Sequence, residues 1–205
     1  MTFVSLAFVF LVQATVPLSR PVEFWRAVVA HEFTPPAGSD LPALTTELSE
    51  MLASPDPERR DEIAYSTLAS WIFQKRTLDA DALNTLTERL LANLQQGIGE
   101  HDTGTVFRRS FSALVLSVVI ARDNASPFLS VDQWRRVEER ALAYLSAEQD
   151  VRGYDPVHGW MHSAAHTADL LKFLGRSRHL TVADQARMLD AIGRKLADAP
   201  KHLGR

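Results

Sequence analysis

Residues 105–123 read TVFRRSFSALVLSVVIARD, and from Phe111 to Ile120 the run is apolar apart from two serines. A surface helix keeps a polar stripe, so near all-round hydrophobicity over this length predicts a helix packed between neighbours. The pattern stays helical on both sides of it. Upstream, Pro21 opens a helix through Phe24, Trp25, Val28 and Val29 that closes before Pro35-Pro36. Asp40 caps a second carrying Leu44, Leu48, Met51 and Leu52. Ser54-Pro55-Asp56-Pro57 is a stop followed by a start, with Asp56 as the cap of a helix lined by Ile63, Tyr65, Leu68, Ala69, Ile72 and Phe73. Asp79 starts another, with Leu83, Leu86, Leu90, Leu91 and Leu94, ended by Gly97 and Gly99. Downstream, Ser130 caps a helix through Leu145, Gly159 to Leu174 forms the next, and Thr181 with Asp184 makes a near capping box for a last helix to Ala197.

No alternating run of β-branched residues bounded by turns occurs, so no strand is predicted. The fold class is all-α. Helix starts near 40, 79, 130 and 181 recur at roughly 40 to 50 residues, the spacing of HEAT-like or armadillo-like helix pairs. The expected architecture is therefore a stack of helix pairs, an α-solenoid, with an irregular α/α bundle as its competitor.

A chain of 205 residues, 46% hydrophobic and 23% charged, suits one globular domain. A net charge of -3 excludes the basic excess of a nucleic-acid binder. The pairs Arg59–Arg60, Arg108–Arg109 and Arg135–Arg136 are assigned mostly to exposed helix faces. The absence of cysteine removes disulfides, zinc ribbons and thiol nucleophiles. Phe3 to Val12 is an apolar run too short for a membrane span and suited to the core of a signal peptide, with Ala14 a small residue for cleavage, although no Lys or Arg precedes it. Residues 1–18 are read as a signal peptide and 19–205 as a single helical domain, exported to the periplasm or beyond and without a membrane span after cleavage. The alternative is a buried first helix in a cytoplasmic protein.

One compact polar constellation remains, between Glu148 and Asp169. On a helix beginning at Gly159-Trp160, His162, His166 and Asp169 stand at i, i+4 and i+7 and project from one face. Two imidazoles so placed can share a divalent metal such as zinc, with a carboxylate one turn on as ligand or orienter. The same face can supply a general base. The loop before it adds Arg152 and Asp155, and Glu148, Asp150 and His158 lie close by in sequence. The structural alternative is a hydrogen-bonded polar network, since a His-x-x-x-His pair alone is a weak signal and has no evident third ligand. Trp25, Trp71, Trp134 and Trp160 fall at core-type positions. Ser110 and Ser112 lie in an apolar helix without the glycines of a nucleophile elbow and are given no catalytic part.

Arg152-Gly153-Tyr154 followed by Gly159-Trp160-x-His162-x-x-Ala165-His166-x-Ala168-Asp169 resembles the signature of an uncharacterised bacterial family, the domain of unknown function 2785. Arg109 to Leu116 resembles its second block, and Asp56-Pro57 through Asp61 to Tyr65 a third. The resemblance implies an all-helical fold, export in some members, and Arg152, Trp160, His162, His166 and Asp169 as a matched set. It implies no activity. Two readings therefore stand. The first is a helical-repeat protein that binds a small ligand, peptide or protein at a site of Arg152, Asp155, Trp160, His162, His166 and Asp169. The second is a metal-dependent enzyme, hydrolytic in type, with His162, His166 and Asp169 on the metal.

Overall fold

The computed structural model describes residues 20–198. The apolar run Phe3–Val12, with the signal-peptide reading placed on it, lies outside the described residues. Within them the chain forms eight helices and one two-residue hairpin bridge. The helices are α1 (Val22–Ala30), α2 (Leu41–Met51), α3, α4 (Ala80–Asn93), α5 (Thr105–Ala125), α6 (Val131–Ala147), α7 (Ser163–Leu174) and α8 (Val182–Asp198). Helix α3 is continuous from Glu58 to Gln74, with π-helical turns Glu58–Tyr65 and Ser70–Gln74 on either side of an α turn, Ser66–Ala69.

Side chains capping the starts make these boundaries intelligible. Asp40 accepts from the Ala43 N–H at 3.1 Å and Asp79 from Ala82 at 2.9 Å. Ser130 and Gln133 form a complete capping box. Thr181 and Asp184 do the same, Asp184 accepting from the Thr181 N–H at 2.8 Å and Thr181 Oγ1 from the Asp184 N–H at 3.2 Å.

Helix α5 is the axis. It is about 31 Å long at the usual rise per residue, and α4, α3 and α7 pack along it, with α6 bridging α7 and α8. Its buried side chains include Val106, Phe107, Phe111, Val115, Leu116, Val119 and Ile120, so the helix expected between neighbours is there. Trp25, Trp71 and Trp134 are fully buried. No described helix is long and apolar enough to cross a membrane.

Three expectations fail in detail. Phe73 does not line the core but is exposed, because it lies within the π turn Ser70–Gln74, closed by the Lys75 N–H on Ser70 O at 2.8 Å, which shifts the phase of the helix face. Arg60 and Arg109 are not surface residues but fully buried. And Gly159-Trp160 does not begin a helix: it is a strand, β2 (Gly159–Trp160), paired antiparallel with β1 (Tyr154–Asp155). Gly159 and His162 adopt left-handed backbone at φ 73 and φ 50, which interrupts any helix through this stretch, and the Met161 N–H donates to Gly153 O at 2.9 Å.

Candidate functional site

The hairpin is shaped by its own tip. Asp155 Oδ1 accepts from the backbone N–H groups of Val157 and His158, each at 2.8 Å, and lies 3.0 Å from His158 Nδ1. These N–H groups hold the Asp155 carboxyl below its ordinary range. The Tyr154–Trp160 pair brings the two rings edge to face at 5.0 Å. Trp160 is 48% exposed, so its placement in the core is corrected: it stands on an extended strand facing outward, not on a helix. His162 is the N-cap of α7, its carbonyl accepting the first helical bond from His166. Its ring stacks on Trp160 at 4.1 Å and 7° and lies 5.6 Å from the ring of His166.

His166 is the buried member, 8% exposed, its ring and that of Phe111 lying edge to face at 4.9 Å. Its Nδ1 is 2.8 Å from Ser110 Oγ, and Ser110 Oγ also bonds the carbonyl of Met161. A hydroxyl has one proton and a carbonyl only accepts. Ser110 therefore donates to Met161 and accepts from His166 Nδ1–H. Burial, then the neighbouring His162 and Arg60, push the His166 pKa down to about 4, opposed by the Ser110 bond and the Asp169 carboxylate. The ring is thus neutral at pH 7 with its proton on Nδ1. Nε2 keeps its lone pair, has no protein partner and is not sealed from solvent. Ser110, given no part by its sequence context, sets this tautomer, and the direction of its bond rules it out as a nucleophile activated by His166.

Arg60 closes the site from α3. Its guanidinium lies over Phe107 at 4.1 Å and Phe111 at 4.8 Å. It donates to Asp61 Oδ1 (2.8 Å) and Oδ2 (3.3 Å), to Ser54 O (3.1 Å) and Pro55 O (3.4 Å), and across the fold to His158 O (2.8 Å). Burial pushes the Asp61 carboxyl up although Arg60 opposes it, and the charge of His162 reaches it. Tyr65, one turn further on α3, is pushed up by burial and by Asp169.

Two expected members are paired to other groups. Asp169 hydrogen-bonds neither imidazole and pairs with Lys172 at 2.6 Å; the helix starts after His162, which leaves only His166 and Asp169 on one helical face. Arg152 is turned to Asp150, Nε to Oδ1 at 2.8 Å and Nη2 to Oδ2 at 2.5 Å, and to Thr103 O at 2.6 Å. There it adjoins a second network, in which buried Arg109 holds Glu148 at 2.6 and 3.1 Å and caps Gln96 O and Gly97 O at 3.1 and 2.8 Å. No group of three or more His, Asp or Glu that could hold a metal ion occurs among the described residues.

The sequence profile of a family described as "protein of unknown function (DUF2785)" matches residues 94–203, more than half of the chain. The chain belongs to the DUF2785 family. No curated protein and no solved structure matches it. In this DUF2785 protein the matched stretch contains Ser110, Trp160, His162 and His166, while Arg60 and Asp61 precede it. The fold nevertheless brings the three blocks picked out by sequence to one place: α3 supplies Arg60 and Asp61, α5 supplies Ser110 and Phe111, and the hairpin with α7 supplies the rest. Arg60, Asp61 and Ser110 were missed as site residues. The signal for them was their position inside those blocks, outweighed by a charge pair that looked solvated and a serine that looked like packing.

Proposed function

We propose that this protein is a binding module: a stack of helix pairs in the HEAT-like manner, with a ligand site at the junction of α3, α5 and the β1–β2 hairpin that takes a small molecule or a peptide side chain. The observation that carries this reading is the His166 Nε2 lone pair. Solvent reaches this acceptor and no protein donor meets it, so a donor on a ligand can take the place of water there. Ser110 holds the ring in one tautomer, and beside it His162 stacks on the half-exposed Trp160. Pre-organised acceptors beside an exposed aromatic ring are the usual furniture of a ligand site.

His166→Asn separates function from fold. The asparagine amide can still donate to Ser110 but has nothing at the Nε2 position. A fragment set covering cations, anions and neutral polar compounds is expected to contain members that shift the Trp160 indole and His166 imidazole resonances of the parent, with the Trp160 shift lost in His166→Asn. A folded His166→Asn variant that responds like the parent would overturn the reading. Stoichiometric zinc bound by the parent and lost in a His162→Ala/His166→Ala double variant would replace it with the metal-dependent alternative.

A further inference from the structure

The donors and acceptors around His166 are unevenly matched, and the imbalance has a sign. A guanidinium has five N–H donors, and Arg60 spends all five: Nε and Nη2 on Asp61, Nη1 on Ser54 O and Pro55 O, and Nη2 also on His158 O. Lys172 gives one of its three N–H groups to Asp169 and lies over Phe173 at 4.7 Å. An incoming anion would thus find no free N–H on Arg60. Acceptors are in surplus. His166 Nε2 is unpartnered, on a residue only 8% exposed. The Asp61 side chain is 33% exposed and that of Asp169 42%, and the negative charge of Asp169 reaches both His166 and Tyr65. Trp160 adds a half-exposed indole, one face of it stacked on His162, of the ring type that best attracts a cation.

We infer that the head group bound here is an organic cation, a primary ammonium or a guanidinium, donating to His166 Nε2 and Asp61 beside the Trp160 ring. This rests on the binding reading above and narrows it. An ammonium has donors and no acceptor, and a guanidinium likewise, so either can serve the open acceptor of His166 and a carboxylate at once. The positive charge relieves Asp61, whose burial beside a single guanidinium leaves its carboxyl raised. The same chemistry arises from a free amine or from a Lys or Arg side chain of a peptide.

The test is a titration of the full chain, followed at the Trp160 indole and the His166 ring by NMR, with butylamine, butylguanidinium, propionate and a methyl glucoside. End-capped Gly-Lys-Gly and Gly-Arg-Gly are run beside them. The cations are expected to give saturable millimolar shifts and propionate none. Asp169→Asn, a change at an exposed pair that leaves the core untouched, is expected to weaken the cations by roughly threefold and Asp61→Asn by about tenfold, near 1.4 kcal/mol. Tighter binding of the capped peptides than of the simple amines assigns the head group to a peptide side chain; the reverse assigns it to a free amine. Binding of propionate or the glucoside in place of the cations overturns the inference and leaves the binding reading intact. Cation shifts indifferent to Asp61→Asn, Asp169→Asn and His166→Asn alike overturn it as well. Silence of both reporter rings to every probe ends both proposals.

Discussion

His166 ties the stability of the fold to pH through one nitrogen. In the unfolded chain an imidazole takes its proton near pH 6.5, whereas in the fold burial delays protonation to about pH 4. Between those values the unfolded chain binds more protons than the folded one. The contribution of His166 is therefore complete above about pH 6.5 and lost as pH falls toward 4, by up to about 3 kcal/mol. Asp61 and Glu138, both raised by burial, act in the opposite sense, losing their contribution as pH rises. The quantity to measure is thus the difference in unfolding free energy between the parent and His166→Asn across pH 4 to 7. That difference is expected to slope with pH, the parent losing ground on the acid side; a flat difference would mean that His166 ionises in the fold as it does in the open chain. The residues that set this behaviour were only partly legible in sequence. A helical serine or an Arg-Arg pair looks the same whether it faces solvent or an imidazole across the fold, and Arg60 reaches His158, 98 positions away, through contacts no local pattern encodes.

At the scale of elements the hairpin is the critical piece, since it turns Trp160 outward and presents His162 at the cap of α7. Gly159 makes its return possible. Its φ of 73 lies where a side chain is strained, and a β-carbon there would meet Arg60 Nη2 at 3.4 Å and Pro57 Cβ at 3.5 Å, which is ordinary contact. Strain alone therefore sets the cost. Gly159→Ala is expected to destabilise by about 1–2 kcal/mol and to change the Trp160 fluorescence. Gly153→Ala, where the nearest neighbour would be Trp160 at 4.0 Å, is expected to stay within about 0.5 kcal/mol. Equal losses at the two glycines in chemical denaturation would remove the left-handed turn from the account. The contrast with the helix starts is instructive. Asp40, Asp79, Ser130 and Thr181 announce themselves because a cap is a local hydrogen bond between a side chain and the backbone a few residues on. A two-residue bridge has no periodicity to detect, and His162, His166 and Asp169 happened to fall at helical spacing just beyond it, across the left-handed start of α7.

For the molecule as a whole, the distribution of apolar surface is uneven at its last helix. α8 buries Met188 and Asp184 inward, yet Leu189 is 70% and Leu196 68% exposed. With Ile192 they border a groove of about 610 Å³ whose other wall is Ala164, Ala168, Leu171 and Gly175. A side chain already in water contributes little to folding, whereas a buried one contributes through the surface it removes from water. The two faces of α8 should then answer differently to substitution. Leu189→Lys with Leu196→Lys is expected to leave the unfolding free energy within about 0.5 kcal/mol of the parent, while lowering the binding of a dye that fluoresces on apolar surface. Met188→Ala is expected to cost about 2–5 kcal/mol, which for a chain of this size lowers Tm by roughly 4–20 °C. Thermal unfolding of the three proteins side by side decides the matter. If the double lysine variant falls as far as Met188→Ala, the outer face of α8 is covered in solution, and its exposure in the isolated chain is not the state that the sequence was shaped for.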